Sequence, residues 1–247
     1  MTHTEHTHKR VALVTGANKG IGHEVARGLA QRGLFVLLGA RDATLGEAAA
    51  AALQSQGLEA RFIEVDLSRP STLTAAAERI GAEVGRLDVL VNNAGISDAR
   101  DGAPSAADID AVRRIFDTNF FGTLAVTQAM LPLLRRSAAG RIVNVSSELG
   151  SLTLNADPQS KYAAYRFLGY SGSKAAVNML TVQLAAELRA TGIKVNAVNP
   201  GFTATDLNHH RGTQTLAEGA AAALQYALID NEGPSGGFFG ADGPLAW

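Results

Sequence analysis

The stretch Thr15-Gly16-Ala17-Asn18-Lys19-Gly20-Ile21-Gly22 follows the apolar run Val11–Thr15 and precedes a segment with helical periodicity. Glycines permit the tight turn from a strand into a helix and let the backbone approach a pyrophosphate, while the free N–H groups of the helix N-terminus favour an anion. Three glycines in a turn are also compatible with a plain loop. The position between a strand and a helix favours a dinucleotide site. Its candidate residues are Gly16, Asn18, Lys19, Gly20 and Ile21.

Beyond this turn, short aliphatic runs alternate with Ala/Leu/Glu-rich segments of helical period. The predicted strands are Val11–Thr15, Phe35–Gly39, Arg61–Val65, Leu87–Val91, Arg141–Ser146, Ile193–Asn199 and Gly236–Phe239. The predicted helices lie near Ile21–Arg32, Ala43–Gln56, Ser71–Val84, Ala106–Arg136, Gly172–Thr191 and Thr215–Ile229. Such alternation is typical of a parallel sheet with helices on both faces. We therefore predict an α/β protein: a single-domain, doubly wound Rossmann fold of about seven parallel strands, spanning residues 10–247.

The first nine residues carry three of the six histidines, His3, His6 and His8. A metal-binding tract is one interpretation of them. Because no carboxylate cage or fixed ligand spacing accompanies these histidines, the pattern favours a mobile, solvated tail over residues 1–9. No metal site is predicted elsewhere in the chain.

Composition excludes several classes of protein. The 26 glycines among 247 residues follow no three-residue period and 46% of the chain is apolar, which excludes collagen and a low-complexity chain. The absence of cysteine excludes disulfides and thiolate catalysis, and it agrees with a reducing compartment. With 22 basic and 23 acidic residues, the net charge of −1 argues against a nucleic-acid partner. No apolar run approaches the ~18 residues of a membrane span, so we expect a soluble, cytoplasmic protein.

The end of the second predicted strand indicates which dinucleotide binds. Many NAD proteins place an acid here for the ribose 2′-hydroxyl, whereas this chain has Arg41 followed by Asp42. Arg41, together with Lys19 of the glycine turn, is suited to a 2′-phosphate because a guanidinium matches phosphate geometry. Asp42 is more simply the N-cap of the next helix. The sequence predicts NADP(H) as the cofactor, with NAD(H) as the alternative.

A second group of residues, Tyr170-Ser171-Gly172-Ser173-Lys174, opens a long helical segment. A spacing of four places Tyr170 and Lys174 on one helix face. A tyrosine that exchanges a proton near pH 7 needs its pKa lowered by about three units from about 10, and a neighbouring ammonium acts in that direction. An ordinary surface pair is the alternative. Tyr162 and Tyr165 have no lysine four residues on.

Taken together, these motifs make the chain resemble the classical short-chain dehydrogenase/reductase family. The matching pieces are Thr15-Gly16-x-x-x-Gly20-Ile21-Gly22, Val65-Asp66-Leu67, Asn92-Asn93-Ala94-Gly95, Asn119, Val143-Asn144-Val145-Ser146-Ser147, Tyr170-x-x-x-Lys174 and Asn199-Pro200-Gly201. They occur in the family's order and span residues 11–205. Single pieces are weak signals, but their shared order is specific.

The resemblance implies roles for four residues at the reacting end. Tyr170 would be the acid/base, and Ser147 would hydrogen-bond the substrate oxygen. Lys174 would hold the ribose hydroxyls and lower the tyrosine pKa. Asn119 would organise a water that links Lys174 to solvent. The implied reaction is hydride transfer between nicotinamide C4 and a carbonyl carbon.

The resemblance also implies cofactor contacts along the sheet. Asp66 and Leu67 are similar to the residues on the adenine side. Asn93, Ala94 and Gly95 match the loop beside the cofactor ribose. The segment after the sixth strand resembles the one that contacts the nicotinamide amide and the phosphates, and its candidates are Pro200, Gly201, Thr203 and Thr205.

The chain departs from the compact family members between Ser147 and Tyr170. The extra stretch, roughly Leu152–Leu168, and a Gly/Pro-rich ending with Trp247 resemble the carbonyl-reductase branch. Members of that branch are often monomeric because the insertion can obstruct the helix face used by tetramers. The resemblance therefore favours a monomer or homodimer over a tetramer.

Pocket walls are expected from Ile96–Arg100, Leu149–Leu154, the inserted segment and Phe202–Arg211, which are largely apolar and aromatic. This favours a hydrophobic aldehyde or ketone as substrate. The leading hypothesis is an NADPH-dependent reductase that converts such a carbonyl reversibly to the alcohol. The alternatives are a biosynthetic ketoreductase acting on a carrier-bound or polycyclic intermediate, and a non-catalytic NADP-sensing protein.

Overall fold

The run Val11–Thr15 forms the central strand β1, and all five residues are buried. Successive side chains point to opposite faces of a strand, so Ala12 and Val14 pack into one hydrophobic cluster and Val11 and Leu13 into another. A strand buried on both faces must be covered by helices on both sides.

A computed structural model of the protein describes residues 9–247. The predicted tail, with its three histidines, lies outside these residues except for Lys9. The Lys9 ammonium pairs with Glu59, and its carbonyl oxygen accepts a hydrogen bond from Arg86 at 2.7 Å.

One sheet contains eight strands in the order β3-β2-β1-β4-β5-β6-β7-β8. The strands are β1 Val11–Thr15, β2 Phe35–Ala40, β3 Ala60–Glu64, β4 Val89–Asn92, β5 Arg141–Val145, β6 Lys194–Val198, β7 Phe238–Gly240 and β8 Gly243–Pro244. All neighbours pair in parallel except β7 and β8. The predicted α/β fold is confirmed, and the expected seven strands are joined by β8. Two residues carry no alternation pattern, which is why the sequence did not reveal β8.

Eight α-helices connect the strands in the described part of the chain. They are α1 Gly20–Gln31, α2 Ala43–Gln54, α3 Pro70–Glu83, α4 Ile109–Phe116, α5 Thr123–Leu134, α6 Leu152–Ala156, α7 Leu168–Glu187 and α8 Leu216–Ala227. A π-helical turn over Asp117–Gly122 joins α4 to α5, so the single helix predicted from Ala106 to Arg136 is two α-helices with a wider turn between them. The helix predicted near Gly172 begins at Leu168 instead.

The helices form one layer on each face of the sheet. One hydrophobic cluster takes residues from α1, α2 and α8, for example Leu29, Leu53 and Tyr226. The other takes residues from α3, α5 and α7, for example Ile80 and Met130. None of the helices in residues 9–247 has the length and apolar character needed to cross a membrane.

A chain of buried side-chain hydrogen bonds ties α7 to the centre of the sheet. Asn92 of β4 donates through Nδ2 to Asn144 of β5 at 2.8 Å and to Thr127 of α5 at 2.9 Å. Asn144 donates in turn to Thr181 of α7 at 2.9 Å. Because buried amides are costly when unpaired, this chain fixes where α7 lies against the sheet.

Candidate active site

The sheet reverses its strand order between β1 and β4, and the loops at the carboxyl ends of these strands open a crevice of the kind that binds ligands in open α/β sheets. Thr15 at the end of β1 accepts hydrogen bonds through Oγ1 from the backbone N–H groups of Asn93 and Ala94, both at 3.0 Å. Asn93 returns a bond from Nδ2 to the Thr15 carbonyl at 2.9 Å. The first and fourth strands are thus joined at the floor of the crevice.

The glycine turn lies against this junction and leaves no space for a side chain at Gly22. A Cβ at Gly22 would lie 2.4 Å from Asn93 Nδ2 and 2.5 Å from the Gly16 carbonyl oxygen. Gly16 has a φ of +64° and also lies close to Ala94, with 3.0 Å from a built Cβ to the Ala94 Cα. The turn therefore presents bare backbone to the crevice, as a pyrophosphate site requires.

Helix α1 begins at this turn with its N-terminal dipole uncompensated. Its N-cap residue Lys19 makes no side-chain cap, and its first turn contains no acidic residue. An anion is favoured at such an end. The residues present therefore fit the phosphates of a dinucleotide.

Arg41 and Lys19, the predicted partners of a 2′-phosphate, differ in their surroundings. Arg41 follows β2, is exposed, and makes no hydrogen bond or ion pair within residues 9–247. Asp42 caps α2 by accepting from the Leu45 N–H at 2.9 Å, as predicted. Lys19 instead reaches across to the loop after β6, where its Nζ lies 2.5 Å from Asp206 Oδ2.

Asp66 and Leu67, predicted for the adenine side, follow β3. The Asp66 carboxylate accepts from Ser68 N at 3.0 Å and Ser68 Oγ at 2.7 Å, and it pairs with Arg69 Nε at 3.0 Å. Burial works to raise the pKa of Asp66, but these hydrogen bonds outweigh it and hold the pKa below its usual range. Leu67 packs against Gly122 of the π-helical turn, where a Cβ would lie 2.6 Å from Leu67 Cβ.

The four residues predicted for the reacting end converge around the first turns of α7. Ser147 follows β5, and its hydroxyl lies close enough to Tyr170 to lower the pKa of the phenol. Lys174 lies one turn further along α7, with Nζ 5.7 Å from the centre of the Tyr170 ring. Asn119 faces the same group: a Cβ built on Gly95 would lie 3.3 Å from Asn119 Oδ1 and 3.6 Å from Lys174 Nζ.

Lys174 is buried, and within the described residues its ammonium has no carboxylate partner. Nζ donates one hydrogen bond, to the Val145 carbonyl oxygen at 2.7 Å. Burial disfavours the charged form and lowers the pKa of Lys174 to about 8. Burial likewise raises the pKa of Tyr170 to about 12, while the nearby Ser147 hydroxyl acts in the opposite direction.

Asn119 lies in the π-helical turn and uses its side-chain amide to hold two neighbours. Oδ1 accepts from the Ile96 N–H at 2.8 Å, and Nδ2 donates to the Ile96 carbonyl at 3.0 Å and to Ser173 Oγ at 3.1 Å. The loop after β4 is thereby fastened to α7. The water predicted at Asn119 stays a prediction.

The loop after β6, which carries the remaining predicted cofactor residues, folds back on itself. Thr203 donates through Oγ1 to the Pro200 carbonyl at 2.9 Å, and Gly201 has a φ of +71°. Thr205 caps the short turn Asp206–Asn208. A Cβ built on Gly20 would lie 3.9 Å from Thr205 Cγ2, so this loop borders the glycine turn.

Sequence reasoning missed two residues that shape this site. Asp101, in the loop between β4 and α4, accepts from the N–H groups of Gly169 and Tyr170, both at 2.8 Å. It caps α7 from a distant part of the chain, because the helix's own N-cap residue Phe167 provides no side-chain bond. The second missed residue is Glu148, directly after Ser147. No local sequence motif marks the hydrogen bonds of Asp101, or those of the Glu148 carboxylate with Tyr162 and Asn199.

Comparisons with known proteins agree with this geometry. The family model described as short chain dehydrogenase matches residues 10–216. Carbonyl reductase (NADPH) 3 of Rattus norvegicus is 36% identical over 256 residues, covering 89% of this chain and 91% of the relative. The (+)-neomenthol dehydrogenase of Capsicum annuum is 30% identical over 303 residues, covering 94% and 96%. The crystal structure of NADPH-bound carbonyl reductase from chicken fatty liver matches with a TM-score of 0.84 at 29% identity, covering 97% of this chain and 99% of that one.

Replacing Asp101 with alanine removes the cap of α7. We expect the free energy of unfolding to fall by about 1–2 kcal/mol, as for other helix caps, and Asp101→Asn to lose less because one acceptor oxygen remains. Urea unfolding followed by circular dichroism measures both. Asp242→Ala is the control, since Asp242 is exposed and forms no hydrogen bond or ion pair within residues 9–247. Equal losses at the two aspartates would contradict the capping role.

Proposed function

The chain belongs to the short-chain dehydrogenase family, and from this we propose that it is an NADPH-dependent reductase converting the carbonyl of a hydrophobic aldehyde or ketone reversibly to the alcohol. One observation carries the proposal. The Tyr170 hydroxyl, the Ser147 hydroxyl and the Lys174 ammonium converge beside the crevice that the glycine turn borders. The dinucleotide cradle and the proton donor then serve the two atoms of one carbonyl group, its carbon and its oxygen.

The chain's residues would hold the dinucleotide along the carboxyl edge of the sheet. When bound, NADPH supplies the hydride that reduces the carbonyl carbon. The pyrophosphate would lie on the backbone of the glycine turn and the N-terminus of α1, and Arg41 would take the 2′-phosphate. The remaining proposed contacts are Asn18, Lys19, Gly20 and Ile21 near the phosphates, Asp66 and Leu67 at the adenine, Asn93, Ala94, Gly95, Tyr170 and Lys174 at the ribose, and Pro200, Gly201, Thr203 and Thr205 near the nicotinamide.

Proton transfer falls to Tyr170. Burial raises the pKa of this phenol to about 12, opposite to the lowering expected from the sequence, so the phenol keeps its proton at neutral pH and can donate it from Oη to the carbonyl oxygen. The Ser147 hydroxyl donates a hydrogen bond to the same oxygen and stabilises the negative charge that develops there. The Lys174 ammonium, largely protonated at neutral pH, eases the formation of the phenolate.

The rim of the crevice supports a hydrophobic substrate. Large apolar side chains are exposed on the segments that flank the site: Phe202 and Leu207 follow β6, and Leu152 lies in α6. The chain's C-terminus reaches this rim, because the Trp247 carbonyl accepts from the Thr153 N–H at 2.9 Å. Exposed apolar side chains grouped at a crevice are typical of a ligand site. The carbonyl reductase and neomenthol dehydrogenase relatives support the same class of substrate.

Replacing Tyr170 with phenylalanine removes the donated proton and retains the ring. We expect kcat for NADPH-dependent reduction to fall at least about 100-fold, in line with the contribution of general acids, while the dissociation constant for NADPH changes less than about threefold. A panel of aldehydes, ketones and quinones identifies the substrate, and NADPH fluorescence measures binding.

Tyr226→Phe is the matched control for this variant, because Tyr226 is buried in α8 and stacked on Phe239, away from the crevice. Its kcat should equal that of the wild type. Most of the activity surviving in Tyr170→Phe would refute the tyrosine's role. Tight NADPH binding with no turnover across the panel would refute the reductase proposal itself.

Replacing Arg41 with alanine tests the choice of cofactor. We expect the dissociation constant for NADPH to rise about tenfold, equivalent to about 1.4 kcal/mol for a lost charge-assisted phosphate contact, with that for NADH changing less than twofold. Isothermal titration with each dinucleotide measures both. Arg136→Ala is the control, since Arg136 lies before β5 at the opposite edge of the sheet. Parallel losses for NADPH and NADH would sink the assignment.

Reduction should depend on pH through Lys174. Because burial lowers the pKa of this ammonium to about 8, the positive charge beside Tyr170 is present below that pH and is lost as the pH rises through it. Tyr170, with its pKa near 12, stays protonated throughout. The kcat/KM for NADPH, which reports the unliganded enzyme, is expected to be level near pH 7 and to decline above about pH 8. A level profile up to pH 10 would contradict this.

A further inference from the structure

Glu148 lies next to Ser147, and its carboxylate joins three parts of the chain. One oxygen, Oε2, accepts hydrogen bonds from Tyr162 Oη and from Asn199 Nδ2, the latter at 2.8 Å. The Lys161 ammonium lies 3.6 Å from the same oxygen. The Glu148 side chain is only 15% exposed, so its hydrogen bonds with Tyr162 and Asn199 are largely shielded from water, whereas Lys161 is exposed.

The contact with Asn199 is reciprocal. Asn199 donates to the Glu148 carboxylate, and its Oδ1 accepts from the Glu148 backbone N–H at 3.3 Å. Asn199 directly precedes Pro200 and Gly201, in the loop proposed to lie beside the nicotinamide. Two bonds between these residues therefore fix the backbone after Ser147 relative to that loop.

The contact with Tyr162 anchors the inserted segment. Residues 157–166 form turns whose other hydrogen bonds are local, such as Ser160 N–H to the Asp157 carbonyl and Tyr165 N–H to the Tyr162 carbonyl. In the described structure, every hydrogen bond or ion pair that leaves residues 157–166 ends at Glu148, whereas the ends of the insertion are held separately, by Thr153 N–H to the Trp247 carbonyl and Leu168 N–H to the Gly102 carbonyl. The Tyr162 ring also packs near Tyr165 and lies beneath the Lys161 ammonium.

Tyr162 is suited to remain a hydrogen-bond donor. Burial raises the pKa of its phenol, and the neighbouring Glu148 carboxylate raises it further. The phenol therefore keeps, at neutral pH, the proton that it donates to Glu148. A hydrogen bond to a charged acceptor in a shielded place is stronger than one between neutral groups.

We propose that Glu148 is a positioning residue that couples the inserted segment to the reacting end. The position of the segment beside the pocket then also sets the positions of Ser147 and of the loop after Asn199. This inference rests on the proposed function. A substrate that contacts the segment then alters the geometry at the reacting atoms through the hydrogen bonds of the Glu148 carboxylate.

Amide hydrogen exchange of the unliganded protein tests the coupling without turnover. In Tyr162→Phe, which retains the ring, we expect faster exchange in residues 157–166 and also in 147–151 and 199–205, with α8 unchanged. Tyr165→Phe is the matched control, because it removes a hydroxyl of the same segment that makes no hydrogen bond within residues 9–247. Its exchange should match the wild type. Faster exchange confined to residues 157–166 in Tyr162→Phe would overturn the coupling.

Kinetics separate positioning from a general loss of folded enzyme. We expect kcat/KM for the carbonyl substrate to fall about tenfold in Tyr162→Phe, with the dissociation constant for NADPH within about twofold of wild type. The isotope effect on kcat with NADPH deuterated at the transferred position should rise, since misplaced reactants slow the chemical step. A smaller active fraction lowers kcat and leaves the isotope effect unchanged, and that result would overturn the proposal.

Two substitutions of Glu148, to glutamine and to alanine, test whether a hydrogen-bond acceptor at this position preserves activity. Glu148→Gln retains an oxygen that can accept from Tyr162 and Asn199, so it should keep several-fold more activity than Glu148→Ala. Equal losses in the two would show that hydrogen bonding at this position does not act on the reaction. If the wild type reduces no carbonyl, the proposed function fails, and the exchange experiment still decides whether Glu148 couples the three segments.

Discussion

The cost of keeping an ammonium buried at Lys174 governs the arrangement of the reacting end. A buried charge without a counter-ion is destabilising unless hydrogen bonds compensate. In the described residues, the Val145 carbonyl is the one hydrogen-bond acceptor for this ammonium. The remaining cost of burial is seen in the pKa of the group, which is lowered to about 8. The Lys174 ammonium keeps N–H donors that the fold does not use. In the proposed reaction, the ribose hydroxyls and the developing phenolate would accept hydrogen bonds from them.

That arrangement depends on how firmly α7 is held. Tyr170 and Lys174 share one helix face, so a shift or rotation of the helix would move both. The buried chain through Asn144 and Thr181 fixes the middle of the helix against the sheet, and Asp101 fixes its first turn. Asn119 ties the loop after β4 to the same helix through Ser173. Polar side chains from separate loops and helices thus hold α7 in place. They give the reacting end a rigidity that a site built on loops alone would lack.

The parts of the molecule that the sequence predicts correctly are those governed by local rules. Five buried residues in Val11–Thr15 produce β1, and a spacing of four places Tyr170 and Lys174 together whatever surrounds them. The contacts it misses join positions far apart. Asp101 meets Tyr170 only because the loop after β4 folds over the start of α7, and Glu148 meets Tyr162 only because the insertion folds back. No hydrophobic periodicity in the sequence predicts such a contact, since it depends on the conformation of two irregular segments. The π-helical turn is hidden for a related reason, because its residues retain an ordinary helical pattern.

The two ends of the crevice place positive charge in different surroundings, and this determines how strictly the position of each cation is constrained. At the phosphate end, the Arg41 side chain is exposed to water, where an unpaired cation costs little free energy. A cation at a nearby position could therefore bind the same phosphate. Lys19, equally exposed, pairs with Asp206 across the crevice. At the reacting end the cation is buried, and only one position on α7 places it beside both Tyr170 and the Val145 carbonyl. A buried charge tolerates no displacement, so it requires a fixed spacing in the sequence. An exposed one leaves only a preference for residue type.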